Sequence, residues 1–250
     1  MLGQGDSPLT ENGVALAVLA AEKISGKRVR YWRTYCSDLQ RAHRTAKIIL
    51  GLEDGDGSSI ENTEIELVVD SRLREIAKGA REGYAKRFSN EEALAMRRSE
   101  ADTNGSDIDV PMLESVDDAW SRVKGWIDSI ILDASNEYYS TIEEGQVQDQ
   151  INDSRGIDNV RKIYDVFVLS HSALIRTMIY KMVGHELPLD FATTREGSIL
   201  IPNLSRTMID VRPLISHRFT DNIPGSRWIS SLHRLADVSH LTNYGSHEHE

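Results

Sequence analysis

One unbroken apolar run constrains the fold of this 250-residue chain more than any other segment. In DVFVLSH (165–171), four apolar residues precede Ser170 and His171, and a helical pattern, ALIRTMIYKMVG, follows directly. Such a run is typical of a strand that is buried on both faces of a parallel sheet. YCSDLQRAHRTA (35–46) has the same order, because a predicted strand at 31–36 precedes a helix that Ser37 would cap.

Other segments continue this alternation of helices and strands. Thr10 is a favourable N-cap for one helix, and Ser115 is a favourable N-cap for a long amphipathic helix. Residues 64–70 are a further strand candidate, and 198–211 suggests two strands around a turn at Asn203. The pattern predicts an α/β fold, a three-layer α/β/α sandwich with a largely parallel central sheet.

The sequence shows no linker that would divide the chain into independent domains. We expect a single domain over residues 1–240, with a partial cap insert at about 85–160 and a disordered tail at 241–250. A stretch at 143–159 has few apolar residues, which predicts a mobile loop inside the insert.

Composition and charge exclude several classes of protein. The formal net charge of −10 argues against a general nucleic-acid binder, which would present a basic face. The chain has no run of about 18 apolar residues and no signal-peptide pattern at its start, so neither a membrane span nor secretion is expected. A single cysteine, Cys36, suits a reducing compartment, and we expect a cytoplasmic protein.

Two charged or titratable side chains follow predicted strands. Arg41 lies in the first turn of the helix after 31–36, and His171 lies where strand 165–170 ends. Ligands of open α/β sheets bind at the carboxyl ends of strands, and helix N-termini there favour anions, so these residues suggest a phosphate site. Position alone leaves the alternatives of a solvated arginine and a structural histidine open.

Several blocks, taken in order, resemble the signatures of the histidine phosphatase superfamily, which includes phosphoglycerate mutases and fructose-2,6-bisphosphatases. They are DSPLTENG (6–13), YCSDLQRAHRTA (35–46), LREIAKGAREG (73–83), ES (114–115), VLSHSALIRTMI (168–179) and IPNLSRT (201–207). The resemblance covers about 210 residues. It implies the same α/β sandwich and phosphoryl-transfer chemistry that requires no metal or other cofactor.

The resemblance also implies roles for individual residues. Arg41 matches the arginine that binds the phosphate, and His171 matches the second histidine, which hydrogen-bonds the transferring phosphoryl group. Glu75 matches the acid that protonates the leaving oxygen, although from the residues alone a surface helix-cap carboxylate is the simpler interpretation. Ser172 stands where the family usually has glycine, so its side chain would either crowd the phosphate or donate a hydrogen bond to it.

The defining Arg-His-Gly motif of this family occurs nowhere in the chain. Its histidine is the nucleophile, and it normally precedes the segment that matches 6–13 by some tens of residues. We therefore expect that the first central strand is missing and that this chain is a truncated form of a longer product.

The functional expectation has two branches. The first is a full-length phosphohydrolase, in preference to a mutase, that acts on a small phosphorylated metabolite through a phosphohistidine intermediate, with this chain itself inactive. The alternative is a catalytically inactive phosphate-binding or scaffold protein. A serine hydrolase using Ser170 or Ser172 is disfavoured, because a nucleophile elbow needs flanking glycines that are absent here.

Overall fold

The computed structural model describes residues 2–25, 31–57, 65–85, 87–105, 107, 110, 112–143, 164–183, 206–213 and 228–237. In chain order, the helices and strands are α1 (Glu11–Ser25), β1 (Arg33–Cys36), α2 (Gln40–Ile49), β2 (Leu67–Val69), α3 (Asn90–Asn104), α4 (Val116–Glu143), β3 (Val166–Leu169), α5 (Ser172–Val183), β4 (Arg206–Pro213) and β5 (Trp228–Asp237). Short 3-10 turns lie at Ser71–Leu73 and Gly79–Arg81.

The central feature is a small parallel sheet with the strand order β2-β1-β3. Tyr35 pairs with Val68 on one side and with Val168 on the other, both in parallel register. The ladder continues past the strand ends, because the Ser37 amide donates to the Leu169 carbonyl at 3.0 Å. All three strands therefore end at the same edge of the sheet, which confirms the α/β architecture with parallel strands.

Helices cover both faces of this sheet. Tyr35 packs edge-on against Trp126 of α4, with 5.4 Å between ring centroids, so its face of the sheet is turned towards α4. Because side chains alternate along a strand, Thr34 and Cys36 point to the opposite face, where both are buried. The helix α2 lies against all three strands, and α1 packs against α2.

The main core lies between the sheet, α4 and α5. Its buried members form one apolar cluster and come from four separate parts of the chain: Tyr35, Leu73, Ile76, Ala119, Val123, Trp126, Ile127 and Leu174. The helix α4 supplies half of this cluster, although it falls inside the segment assigned to the cap. Within 85–160, α4 therefore belongs to the sandwich, while α3 packs on the Gly79–Arg81 turn.

The strand β3 differs from the sequence prediction. All four of its residues are only partly buried, whereas the unbroken apolar run predicted burial on both faces. The reason is position, because β3 has one neighbour, β1, among the described strands and so lies at an edge. The first central strand is expected to be missing, but it would not lie between these three strands, since β1 pairs directly with both neighbours. A further strand would have to join at the outer edge of β2 or β3.

Two of the three predicted helix caps are confirmed. The Thr10 hydroxyl accepts a hydrogen bond from the Gly13 amide at 3.1 Å, and the Ser115 hydroxyl accepts one from the Asp118 amide at 3.0 Å. The prediction for Ser37 was wrong, because α2 begins only at Gln40 and the Ser37 hydroxyl accepts from the Leu39 amide instead.

Two strands form a separate antiparallel pair. In β4, Ile209 pairs with Leu232 of β5, so the strand expected near the end of 198–211 exists, and its partner lies further along the chain. The predicted turn at Asn203, the loop at 143–159 and the tail at 241–250 lie outside the described residues, apart from Glu143 at the end of α4. In the described part, no helix combines the length and apolar character that a membrane crossing requires.

The packing predicts a strong dependence of stability on Leu174. Its side chain is fully buried in the core cluster, so Leu174→Ala should lower the free energy of unfolding by roughly 2–5 kcal/mol through lost contacts and a residual cavity. Leu132→Ala on α4 is the matched control, because Leu132 is 59% exposed and its truncation should cost less than about 0.5 kcal/mol. Urea denaturation of both variants checks this, and equal losses would contradict the assigned core.

Candidate functional site

The three candidate residues lie beyond the ends of the three parallel strands. Arg41 is the second residue of α2, which follows β1, and His171 is the second residue after β3. Glu75 follows the 3-10 turn Ser71–Leu73 that comes after β2. Since the strands are parallel and paired, the segments that carry these residues leave the sheet at the same edge.

The Glu75 carboxylate is bonded to the start of α5. Its Oε1 accepts hydrogen bonds from the amides of Ile76, at 2.8 Å, and Leu174, at 3.1 Å. Its Oε2 accepts one from the amide of Ala173, also at 3.1 Å. Glu75 therefore caps a helix, in agreement with the helix-cap interpretation from the residues alone. The helix is α5, which is distant in sequence and starts immediately after His171.

Arg41 is half-buried and faces this same region. Its guanidinium donates to the carbonyl oxygens of Gly5, at 2.7 Å, and Gly3, at 2.9 Å. Burial lowers the pKa of Arg41, and the nearby carboxylates of Glu75, Asp6 and Glu82 act in the opposite direction. The charge of Glu75 therefore acts on the Arg41 guanidinium.

The N-terminal segment 3–5 connects Arg41 to the backbone of Glu75. Between the carbonyls that Arg41 binds lies Gln4, whose side-chain amide donates to the Glu75 carbonyl at 3.0 Å. The Gln4 backbone amide donates to the buried carboxylate of Glu82 at 2.9 Å. Gly3 has φ +49°, and a Cβ atom there would clash with Glu82 Oε1, so this position favours glycine.

His171 is buried, and its Nε2 atom has no hydrogen-bond partner within the described residues. The pKa of His171 is lowered to about 4, first by burial and then by the positive charges of Arg41 and Arg122, whereas the charge of Asp38 acts in the opposite direction. The imidazole is therefore neutral at pH 7. The charge of Arg41 therefore also acts on His171.

Carboxylates of the protein already occupy the helix starts that were expected to attract an anion. At α2, the Asp6 Oδ1 atom accepts from the Gln40 amide at 2.7 Å. At α5, Glu75 engages the second and third amides, while Ser172 is the first residue of the helix, directly after His171. An anion at this edge would therefore depend on side-chain donors more than on free backbone amides.

A family model describing the histidine phosphatase superfamily, branch 1, matches residues 1–140, which is more than half of the chain. The chain belongs to the histidine phosphatase superfamily. The match includes the segments that carry Arg41 and Glu75, and it ends before His171.

Two curated relatives illustrate the similarity. Fructose-2,6-bisphosphatase TIGAR B of Danio rerio is 26% identical over 185 residues, which cover 72% of this chain and 67% of that protein. The probable phosphoglycerate mutase GpmB of Serratia proteamaculans (strain 568) is 31% identical over 130 residues, which cover 52% of this chain and 54% of that protein. The chain thus matches about half the length of GpmB.

Solved structures support the fold. The mycobacterial glucosyl-3-phosphoglycerate phosphatase in complex with inorganic phosphate is similar with a TM-score of 0.52 and 22% identity, and the superposition covers 95% of this chain and 91% of that one. At this identity, the likeness extends to the fold alone.

The structure also reveals contacts that sequence reasoning missed. Asp38 and Arg74 form a bidentate ion pair, with Nη2 and Oδ2 2.6 Å apart, that links the β1–α2 junction to the segment of Glu75. Arg122 of α4 binds that segment from the other side. The resemblance pointed to Glu114, the partner of Arg122, but no periodicity in α4 distinguishes Arg122 from the other charged residues.

Two other possibilities for chemistry at this edge find no support in the described residues. The Cys36 thiol is fully buried and burial raises its pKa to about 12, which makes it a packing residue without thiolate character at neutral pH. The described part of the chain contains no group of three or more histidine, cysteine, aspartate or glutamate side chains arranged to bind a metal ion.

The buried neutral imidazole predicts a specific loss of stability in acid. The folded-state pKa of His171 is about 4, below the value of about 6.5 for an unfolded chain. Between these values, the unfolded chain binds more protons, so stability falls as the pH decreases through this window. From pH 7 to pH 5, the native protein should lose about 2 kcal/mol more than His171→Gln does.

Urea denaturation at the two pH values measures this difference. The control is His43→Gln, because His43 is less buried and its pKa is lowered in the same direction, mainly by burial, so the change in pH dependence should be smaller. An identical pH dependence in the native protein and His171→Gln would show that His171 is not buried in its neutral form.

Proposed function

We propose that the complete gene product is a phosphohydrolase that acts on a small phosphomonoester through a phosphohistidine intermediate. In this proposal, Arg41 binds the phosphate, His171 hydrogen-bonds the phosphoryl group, and Glu75 protonates the leaving oxygen. One observation carries the proposal: Glu75 is bonded to the helix that starts beside His171, and the segment 3–5 that Arg41 binds also donates to the Glu75 carbonyl.

Arg41 retains the capacity for this role. A guanidinium carries five N–H donors, and the carbonyls of Gly3 and Gly5 each take one of them. The remaining donors are available for phosphate oxygens, which a guanidinium binds with strong, charge-assisted hydrogen bonds. The two carbonyl bonds fix the direction of the side chain, so little conformational freedom is lost on binding.

His171 is suited to donate one hydrogen bond. A neutral imidazole carries a proton on one nitrogen, and the Nε2 atom is buried without a partner in the described part of the chain. A buried polar atom without a hydrogen bond costs about 1–3 kcal/mol, so a phosphoryl oxygen placed at Nε2 would remove an existing penalty.

Ser172 is the fourth residue of the proposed site. It follows His171 directly and is the first residue of α5, so its hydroxyl is proposed to hydrogen-bond the phosphate.

Glu75 is proposed to act through its Oε2 atom. This atom accepts one backbone hydrogen bond, whereas Oε1 accepts two. A carboxylate oxygen offers two acceptor sites, so Oε2 retains one for the proton that is passed to the leaving alkoxide.

Charge explains why the proposal needs a further group. Three carboxylates, those of Glu75, Asp6 and Glu82, act on the Arg41 guanidinium. A bound phosphate would be repelled by these carboxylates at short range. The Arg-His-Gly motif, absent from the 250 residues, would supply both the nucleophile and the second positive charge.

The relatives support the class of substrate. Their names refer to fructose 2,6-bisphosphate, phosphoglycerate and glucosyl-3-phosphoglycerate, all of which are small phosphorylated metabolites. We extend only this class to the present protein. Between phosphatase and mutase activity, we propose phosphatase activity.

The second candidate is a phosphate-binding protein without turnover. The absence of Arg-His-Gly from the sequence favours it specifically, because no other histidine in the described part is placed beside Arg41 and His171 by the contacts above. The two candidates share the phosphate site and differ in catalysis. An in-frame Arg-His-Gly in the coding sequence upstream of Met1, together with phosphate release by the extended protein, would separate them.

Phosphate binding to the present chain tests the site common to both candidates. Arg41→Met should weaken the binding of inorganic phosphate about 10- to 100-fold, because charge-assisted hydrogen bonds to the anion are lost. Isothermal titration calorimetry or ³¹P NMR measures the affinity. The matched control is Arg44→Met on the same helix, whose guanidinium pairs with Glu53 and should leave the affinity within about twofold.

Saturable phosphate binding that Arg41→Met leaves unchanged would contradict the assigned site. The absence of any binding to the folded native chain would contradict the second candidate, a phosphate-binding protein without turnover. Circular dichroism and urea denaturation of both variants establish that a loss of binding does not arise from unfolding.

A further inference from the structure

Arg122 contacts the Glu75 segment more extensively than any other side chain in the described residues. Its Nη1 atom donates to the Arg72 carbonyl at 2.6 Å. Its Nη2 atom donates to the carbonyls of Arg74, at 2.8 Å, and Glu75, at 3.2 Å. One guanidinium on α4 thus engages three backbone carbonyls across four consecutive residues and fixes the path of the chain into Glu75.

Glu114 holds that guanidinium in place. Its two carboxylate oxygens accept from Arg122 Nε and Nη2, at 2.5 Å and 3.0 Å, in a bidentate ion pair. The Oε2 atom also accepts from the Ala77 amide at 3.1 Å, two residues beyond Glu75. The side chains of Arg122 and Glu114 are only 20% and 14% exposed, so the pair is well shielded from water.

The Glu75 carbonyl is fixed from two directions. Gln4 donates to it from the N-terminal segment, and Arg122 donates to it from α4. With its backbone held in this way, Glu75 accepts hydrogen bonds through its carboxylate from the amides of Ala173 and Leu174 in α5. The backbone contacts of Arg122 and the side-chain contacts of Glu75 are therefore parts of one connected network.

We propose that Arg122, fixed by Glu114, is a positioning residue that holds the Glu75 carboxylate at the start of α5. This inference rests on the proposed function, since it assigns a purpose to Glu75 that only a phosphoryl-transfer site requires. It deepens that function by assigning a role to a residue outside the three that face the phosphate.

The charge of Arg122 has a consequence for His171 that a simple packing role would lack. The charged groups that influence His171 are Arg41 on α2, Arg122 on α4 and Asp38 at the β1–α2 junction. Arg122 contributes to keeping the imidazole neutral, in the state that donates one hydrogen bond. Replacement of Arg122 by a neutral residue should therefore alter both the position of Glu75 and the titration of His171.

Two variants separate position from charge. Arg122→Lys keeps the positive charge but lacks the planar fork that reaches three carbonyls at once. Arg122→Met removes both. The first measurement is amide hydrogen exchange at Ala173 and Leu174, because the first amides of a helix have no partner within the helix and depend here on Glu75. The second is the NMR titration of the His171 imidazole.

The expected results differ between the variants. Both should increase exchange at Ala173 and Leu174 about tenfold, towards the rates of a Glu75→Ala reference that lacks the carboxylate. Only Arg122→Met should raise the His171 pKa, because only that variant removes the charge. The His171 resonance is identified by its loss in His171→Gln.

Arg72→Met is the matched control. Arg72 lies in the same segment and has the same charge, but its side chain pairs with Asp70, two residues earlier, and its contact with Arg122 is made by its backbone carbonyl alone. This variant should leave both measurements unchanged. An equal effect of Arg72→Met would show that any loss of charge in the segment suffices, which would overturn the specific role of Arg122.

The proposal is wrong if both Arg122 variants are folded and exchange at Ala173 and Leu174 stays at the native rate. Should Arg122→Met fail to fold, Glu114→Gln provides the second variant, since it weakens the fixation of Arg122 and leaves its charge intact. It should accelerate exchange at both amides, and native rates there would equally overturn the proposal. Both measurements are made without phosphate, so their outcome is independent of the phosphate affinity that tests the proposed function.

Discussion

The bond between the Glu75 carboxylate and the first turn of α5 connects parts of the chain that are 98 and 99 residues apart in sequence. The helix α5 begins directly after His171, so this contact brings the end of β2 to the end of β3. Arg41, which follows β1, adds a positive charge to this arrangement and donates hydrogen bonds to the Gly3 and Gly5 carbonyls. The described edge of the sheet is organised around one carboxylate and its backbone donors.

Local signals explain why much of the fold was predictable. The hydroxyls of Thr10 and Ser115 begin their helices as the capping preference predicts, and the parallel pairing of β1 and β3 follows from strand-helix alternation. The partial exposure of β3 was missed, because an apolar run reveals the preference for burial but not the number of neighbouring strands. The cap of α2 was missed because Asp6, 34 residues away, supplies it in place of Ser37.

The candidate site was predictable only to the level of residue types at strand ends. Arg41 and His171 have a positional signal, since each follows a strand, and Glu75 was identified through resemblance alone. Arg122 has no comparable signal, because its partners are backbone carbonyls in a turn about 50 residues earlier, and carbonyl positions leave no trace in side-chain patterns. The electrostatic excess of carboxylates around Arg41 likewise emerges only from the folded arrangement.

The position of Cys36 has a practical consequence. It is the single cysteine of the chain, it is completely shielded from solvent, and it lies in the middle strand of the parallel sheet. An alkylating reagent reaches it only when that strand separates from its surroundings, so the labelling rate reports the opening of the sheet without any engineered probe. The alkylation rate of this thiol therefore measures how often the interior of the protein opens to solvent.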